Sequence, residues 1–347
     1  MGYQILYLLL TIAVVTSKAS PQSYEEIISQ IMKESAEEEP TQNGTACPPM
    51  FSLIGGKCLY FASFVQQNQV ACRQVCHSLE GELAAIRTAT ELQEIIREIK
   101  RRGLVEMGFW IDGTFDGKEH WNFSNTDLVP LGTPFWYAAE DNNPSPTNDP
   151  LLKCASINNE SGFLMKDMDC EQHFSPLCEH EPASLDESEE DQEEEPDHLE
   201  AENISCPPFF VDISGNCIAF ITWSEIPWIA AKQTCNAITS GAELLMTKDI
   251  ELLRHLYNYF HEEGLDGHNF WIGATDVAEE GVWTYNGIKV DIEAPFWGNS
   301  ITLGVMEPDG NDAENCLALT SAGQHYFRDK SCDEPYNPIC TAKPLSL

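Results

Sequence analysis

Positive charge is scarce: 19 Lys plus Arg stand against 56 Asp plus Glu, a formal net charge of -37. Binding nucleic acid requires cationic side chains that neutralise phosphates and release counterions, so a nucleic-acid partner is excluded, and an anionic membrane surface is disfavoured for the same reason. No apolar run is long enough to span a bilayer. The chain also lacks a His-Glu-x-x-His, a Gly-x-Ser-x-Gly and any CxxC at zinc-finger spacing, which removes the commonest hydrolase and metal signatures. His255, His261 and His268 fall six and seven residues apart, so no pair sits on adjacent turns of one helix face. Carboxylate pairs are too numerous in so acidic a chain to signal glycosidase chemistry. An enzyme is not expected.

What is present is apolar and aromatic material. With 42% hydrophobic and 10% aromatic residues over 347 positions, the chain has enough for packed cores, and its length suggests two domains. Residues 1–19 read as a signal peptide: Ile5 to Val15 is an apolar stretch too short for a membrane span, and Ser17-Lys18-Ala19 has the small-x-small form of a cleavage site. No Lys or Arg precedes that stretch, a departure from the usual pattern. Export turns the 13 cysteines into a disulfide framework rather than redox or metal sites. Four sequons, at Asn43, Asn122, Asn159 and Asn203, fit the same extracellular address.

The chain is internally duplicated. Cys47-Pro-Pro-x-Phe returns as Cys206-Pro-Pro-x-Phe, Cys58 and Cys76 return as Cys217 and Cys235, and Phe109-Trp110-Ile111 as Phe270-Trp271-Ile272. Phe135-Trp136 returns as Phe296-Trp297, and Cys154, Cys170 and Cys178 as Cys316, Cys332 and Cys340. Two units, residues 47–180 and 206–341, are therefore expected, with a short tail at 342–347. Between them, residues 181–202 hold 12 acidic residues and no Lys or Arg, so 181–205 reads as an acidic linker and 20–46 as a milder disordered segment. Each unit starts with two short strands around Gly55-Gly56 or Ser214-Gly215-Asn216. A helix carrying Cys76 or Cys235 follows, then a second helix over Thr90–Arg102 or Asp249–Glu262. Beyond these lie short strands and long loops rich in Trp, Gly, Asn and Pro. The pattern points to an α+β fold with short antiparallel strands. The tryptophans at 110, 121, 136, 271, 283 and 297 recur at matched places, which fits core packing better than sugar stacking.

The cysteine order, the Trp110-Ile111-Asp112-Gly113 and Trp271-Ile272-Gly273 motifs and the late Cys-x15-Cys resemble the C-type lectin-like domain in its six-cysteine long form. The resemblance covers both units, about 270 of the 347 residues, and the tandem arrangement is similar to secreted two-domain lectins of invertebrate innate immunity. Spacing alone leaves fifteen connectivities for six cysteines. The resemblance implies Cys47–Cys58, Cys76–Cys178 and Cys154–Cys170, then Cys206–Cys217, Cys235–Cys340 and Cys316–Cys332. Cys72 is left over, as a buried free thiol or as the link of a disulfide-bonded dimer.

The resemblance also implies a Ca2+ and sugar site. Ca2+ takes six to eight oxygen ligands, and vicinal sugar hydroxyls complete its shell. In the second unit Glu307-Pro308-Asp309, Glu314 and Asp329 match the family's ligand positions for both ion and sugar. Arg328 stands where the family has Asn and Phe327 where it often has Trp. Four carboxylates and one guanidinium leave a net -3, which implies retained but weakened Ca2+ binding. In the opposing reading Arg328 forks onto two carboxylates and replaces the metal. Asp276 and Glu280 match the auxiliary ion site more weakly, since Gly310 replaces an acid there. Glu-Pro-Asp mixes two sugar-selectivity patterns, so the sugar is left open. The first unit is degraded: Glu140-Asp141-Asn142 lacks the proline, Leu152 replaces a Glu, and Lys166-Asp167 replaces Asn-Asp. An internal ion pair of Lys166 with Glu140 and Asp167 is expected there in place of Ca2+. The implied function is a secreted lectin for carbohydrate on glycoproteins or microbial surfaces, with two units on a flexible spacer adding avidity. The alternative is a metal-independent protein-binding or adhesion module.

Overall fold

A computed structural model describes residues 45–138, 144–184, 204–300 and 305–345. The expected signal peptide, most of the acidic segments, Asn43, Asn203 and Glu140–Asn142 lie outside the described residues. In chain order the N-terminal half contains β1 (Thr45–Ala46), β2 (Ser52–Ile54), β3 (Lys57–Phe61), α1 (Gln69–His77), β4 (Glu82–Leu83) and α2 (Ala89–Arg102). It continues through β5 (Phe109–Phe115), β6 (Trp121–Asn122), β7 (Cys154–Ile157), β8 (Met165–Met168), β9 (Ser175–His180) and β10 (Ala183–Ser184). The C-terminal half contains β11 (Val211–Ile213), β12 (Asn216–Phe220), α3 (Trp228–Ile238), β13 (Glu243–Leu244) and α4 (Ile250–Glu262). It ends with β14 (Phe270–Thr275), β15 (Thr284–Tyr285), β16 (Ile288–Lys289), β17 (Cys316–Leu319), β18 (Phe327–Lys330) and β19 (Asn337–Ala342).

The helices follow local signals. Thr88 caps α2 by accepting from Glu91 N while the Glu91 side chain returns to the Thr88 backbone, and Gly103 at φ 69° closes the helix where a left-handed residue is needed. Leu92, Ile95, Ile96 and Ile99 then face the core at helical spacing. In α4 the cap is Asp249, so the helix starts one residue later than the apolar pattern suggests, and Leu252, Leu253, Leu256 and Phe260 are buried. Each such side chain contributes about 1.5–3 kcal/mol by leaving water.

The strands form two sheets of matching order, β2-β3-β9-β5-β7-β8 and β11-β12-β19-β14-β17-β18. Most neighbours are antiparallel, as expected, and each sheet adds one parallel pair. Phe109–Trp110 run parallel to Ser175–Pro176, and Phe270–Trp271 parallel to Asn337–Pro338. Parallel neighbours need a long crossover, and the loop-rich stretch between the paired segments supplies it. The structure is thus α+β with mixed sheets. Six disulfides join Cys47–Cys58, Cys76–Cys178, Cys154–Cys170, Cys206–Cys217, Cys235–Cys340 and Cys316–Cys332.

The two halves share one hydrophobic core, which runs from Ile96, Phe135 and Trp136 to Leu256, Tyr326 and Phe327. Helix α2 packs on α4. Thr90 N and Oγ1 donate to Glu251 Oε1, Arg97 meets Glu293 at 2.8 Å, and Arg254 Nη1 donates to the carbonyls of Leu131 and Thr133. Gly132, at φ 74°, lies so close to the Tyr257 ring that a Cβ there would overlap it. The two halves, expected as units on a spacer, thus meet along a seam.

All six tryptophans named above are buried. Cys72 is a free thiol with no exposure; it donates to the carbonyls of Phe174 at 3.3 Å and Gln67 at 3.5 Å. A dimer linked through Cys72 is corrected by this burial, since no partner thiol can reach it. Burial pushes the thiol up to about 11, and the thiolate is the reactive form. The native chain is expected to take no iodoacetamide at pH 8 and one equivalent in denaturant without reductant, as read by intact mass.

Candidate functional site

The long loop before β17 places the acidic residues. Glu307 N donates to the Gly298 carbonyl and Asn299 bridges to Met306, which anchors the loop. The Glu307–Pro308 peptide is cis. Asp329 reaches the same place from β18, where it is 1% exposed and accepts from Asp309 N at 3.2 Å and Gly310 N at 2.9 Å. One oxygen each from Glu307, Asp309 and Asp329 lie within 4.8 Å of one another. Glu307 and Asp329 are buried while Asp309 is exposed, so the group opens to solvent on the Asp309 side.

Arg328 is fully buried, and Nη1 donates to Glu307 Oε1 at 2.6 Å. Nη2 donates to the carbonyls of Asn299 at 2.8 Å and Ala138 at 3.3 Å, the latter from the N-terminal half. Among the described residues it thus engages the Glu307 carboxylate and two backbone carbonyls. Glu307 Oε2 is buried with no hydrogen-bond partner. Burial, with the Asp329 carboxyl beside it and against the pull of Arg328, pushes Glu307 up to about 9. Such a group is short of a positive charge.

Of the other sequence-derived site residues, Glu314 stands off the trio with Oε2 at 3.5 Å from Lys330 Nζ. Ser300 donates to Asp309 Oδ2. Asp276 is 1% exposed; Oδ2 accepts from Gly281 N at 3.0 Å, Oδ1 has no hydrogen-bond partner, and burial raises its pKa. Glu280 is exposed, and neither it nor Asp276 belongs to the trio. Asn122 is half-buried and Asn159 exposed.

In the N-terminal half the expected Lys166–Asp167 ion pair is corrected. Neighbours on β8 point to opposite faces: Asp167 is buried and accepts from Thr147 N and Oγ1, while Lys166 Nζ sits 5.0 Å from the Tyr137 ring centroid. Glu140, its other expected partner, lies outside the described residues.

Residues 224–342 match the family model described as the lectin C-type domain. The C-terminal half contains a C-type lectin domain. Mouse tetranectin is 36% identical over 85 residues, covering 23% of this chain and 37% of tetranectin. Human C-type lectin domain family 4 member C is 24% identical over 159 residues, covering 45% of this chain and 68% of that protein. The chain spans about two fifths of the length of the tetranectins it matches. Among solved structures, the mouse scavenger receptor C-type lectin carbohydrate-recognition domain is 24% identical at a TM-score of 0.32, covering 41% of this chain and 99% of that one. Human lithostathine is 26% identical at 0.33, covering 42% and 96%. C-type lectin domains are binding modules without enzymatic activity, and members of the family commonly bind Ca2+.

The carboxylate trio fits such an ion. Its oxygens span the width of one Ca2+ shell, Glu307 Oε2 is a buried acceptor with no donor, and all three groups are hard oxygen ligands. Sequence reasoning missed the partners of Arg328 across the seam, because backbone carbonyls leave no mark in a sequence.

His325 is 2% exposed, with Nε2 on the His268 carbonyl at 3.0 Å and the rings of Phe260 and Phe270 beside it. Burial lowers its pKa against the pull of that carbonyl and of Asp266, with the His268 ring adding to the lowering. The unfolded chain then binds the proton more readily. The stability is whole above the unfolded value of about 6.5 and falls below it, by up to about 1.4 kcal/mol per pH unit, until the folded group protonates. Urea unfolding between pH 7 and 5 is expected to show a shallower slope in His325→Asn than in the wild type.

Proposed function

We propose that the chain is a tandem pair of C-type lectin domains, residues 47–180 and 206–341, exported from the cell and binding carbohydrate through a Ca2+ in the second. The ion would be held by Glu307, Asp309 and Asp329, with Glu314 and Lys330 alongside, and when bound would offer open coordination positions to sugar hydroxyls. The observation that carries this reading is the buried, donorless Glu307 Oε2 inside a trio of carboxylates that opens to solvent at Asp309. With all three carboxyls ionised, as they would be around a bound ion, they and the Arg328 guanidinium sum to -2, the charge one divalent cation balances. Arg328 orients Glu307, the Asp309 and Gly310 amides orient Asp329, and Ser300 orients Asp309. Each ligand is therefore held in place before the ion arrives, which lowers the ordering cost of binding. Carbohydrate on glycoproteins or microbial surfaces is the ligand class this chemistry suits.

Calorimetric titration of Ca2+ into the full chain tests the reading. A single site in the millimolar range of extracellular modules is expected. Asp329→Asn is expected to weaken it by about 100-fold or more, because even outer-shell partners of a metal contribute 10–100-fold.

A second reading has an observation of its own: Arg328 already sits on Glu307 and Lys330 on Glu314. If those cations suffice, the same loop surface is a metal-independent protein-binding or adhesion face. No heat up to about 10 mM Ca2+ would favour that reading.

A further inference from the structure

The carboxylate site does not end at the C-terminal half. On the buried side of Glu307, the Arg328 guanidinium is shared among Glu307 Oε1, the Asn299 carbonyl and the Ala138 carbonyl. Asn299 N donates to the same Ala138 carbonyl at 3.3 Å, and two residues before Arg328 the fully buried Tyr326 donates to the Trp136 carbonyl at 2.7 Å. The guanidinium fills a slot that glycine leaves open: a Cβ on Gly298 would stand 3.0 Å from Nη2, and one on Gly323 would overlap Nε. A chain of contacts thus runs from Trp136–Ala138 through Arg328 to Glu307.

We propose that the N-terminal half is a working part of the cation site. Its Trp136–Ala138 segment holds Arg328, and Arg328 holds Glu307 with Oε2 turned toward Asp309 and Asp329. Arg328 is a positioning residue, too deeply buried to touch a ligand at the open edge. The inference rests on the cation reading above and extends it: what closes the seam tightens the site, and by linkage an ion in the site tightens the seam.

The test uses the full chain and two readouts on the same samples, amide hydrogen exchange over residues 132–138 and Ca2+ calorimetry. Tyr326→Phe removes a seam hydrogen bond without altering a carboxylate. It is expected to speed exchange over 132–138 and to weaken Ca2+ binding about five-fold or more. A faster-exchanging seam with an unchanged Kd overturns the proposal. Glu307→Gln probes the same chain of contacts without metal. It replaces the carboxyl that accepts from Arg328 at 2.6 Å and is expected to speed exchange over 132–138 in Ca2+-free buffer. Unchanged exchange in that variant overturns the proposal whatever the ion does. A wild type that takes no Ca2+ while Glu307→Gln loosens the seam refutes the cation reading and leaves the coupling standing.

Discussion

Replacing Arg328 with methionine is expected to destabilise the protein by about 3–5 kcal/mol, the range for removing one partner of a buried ion pair. The group is fully buried against a carboxylate that is itself 4% exposed, so its loss strands Glu307 and leaves the Asn299 carbonyl short of a donor. Part of the cost is offset by protonation, because burial already pushes Glu307 up to about 9, and a neutral acid tolerates burial far better than an ion. Pairing the change with Glu307→Gln is therefore expected to recover a large part of the loss, a coupling of about 1–3 kcal/mol in a double-mutant cycle. Urea unfolding of the four proteins at pH 7 measures it. Additive losses would mean that Arg328 and Glu307 act separately, contrary to the 2.6 Å contact between them.

The second large effect comes from the cysteines. Cys235 and Cys340 are 105 residues apart, whereas Cys316 and Cys332 are 16 apart. Closing the longer loop removes more freedom from the unfolded chain, about 4.7 kcal/mol against about 3 kcal/mol in the loop-entropy model. The bond also ties α3 to β19 beneath Leu244 and Trp271, within the core of the C-terminal half. Changing Cys235 and Cys340 together to alanine is expected to lower the midpoint more than changing Cys316 and Cys332 together. Equal losses would place the stabilisation in native packing around the sulfurs rather than in the unfolded chain.

Much of this molecule is legible from its residues. The duplication at matched cysteines and tryptophans anticipates two sheets of one order, and Thr88, Glu91 and Gly103 mark both ends of α2 because capping is a local interaction. Of the four carboxylates grouped from the sequence, those at 307, 309 and 329 meet, the loop amides of Asp309 and Gly310 donating to Asp329, while Glu314 stands beside Lys330. What is not legible is long-range. The parallel neighbours β5 and β9 depend on a crossover that no local pattern fixes. The seam is built largely of backbone carbonyls, from Leu131, Thr133, Trp136 and Ala138, which any sequence would supply. The direction of Arg328 follows from space left by Gly298 and Gly323, and a charge count cannot show which way a side chain turns. Lys166 and Asp167 fail as an ion pair for a simpler reason, the alternation of side chains along a strand, which was open to reading in advance.

The lectin reading is tested most directly by glycan-array binding of the full chain in Ca2+ buffer, in chelator, and as the Asp329→Asn variant. The expected result is retention on a subset of glycans in Ca2+ that is lost in chelator and lost in the variant. Equal retention in Ca2+ and chelator, or none from a chain that calorimetry shows to be loaded with Ca2+, would contradict it.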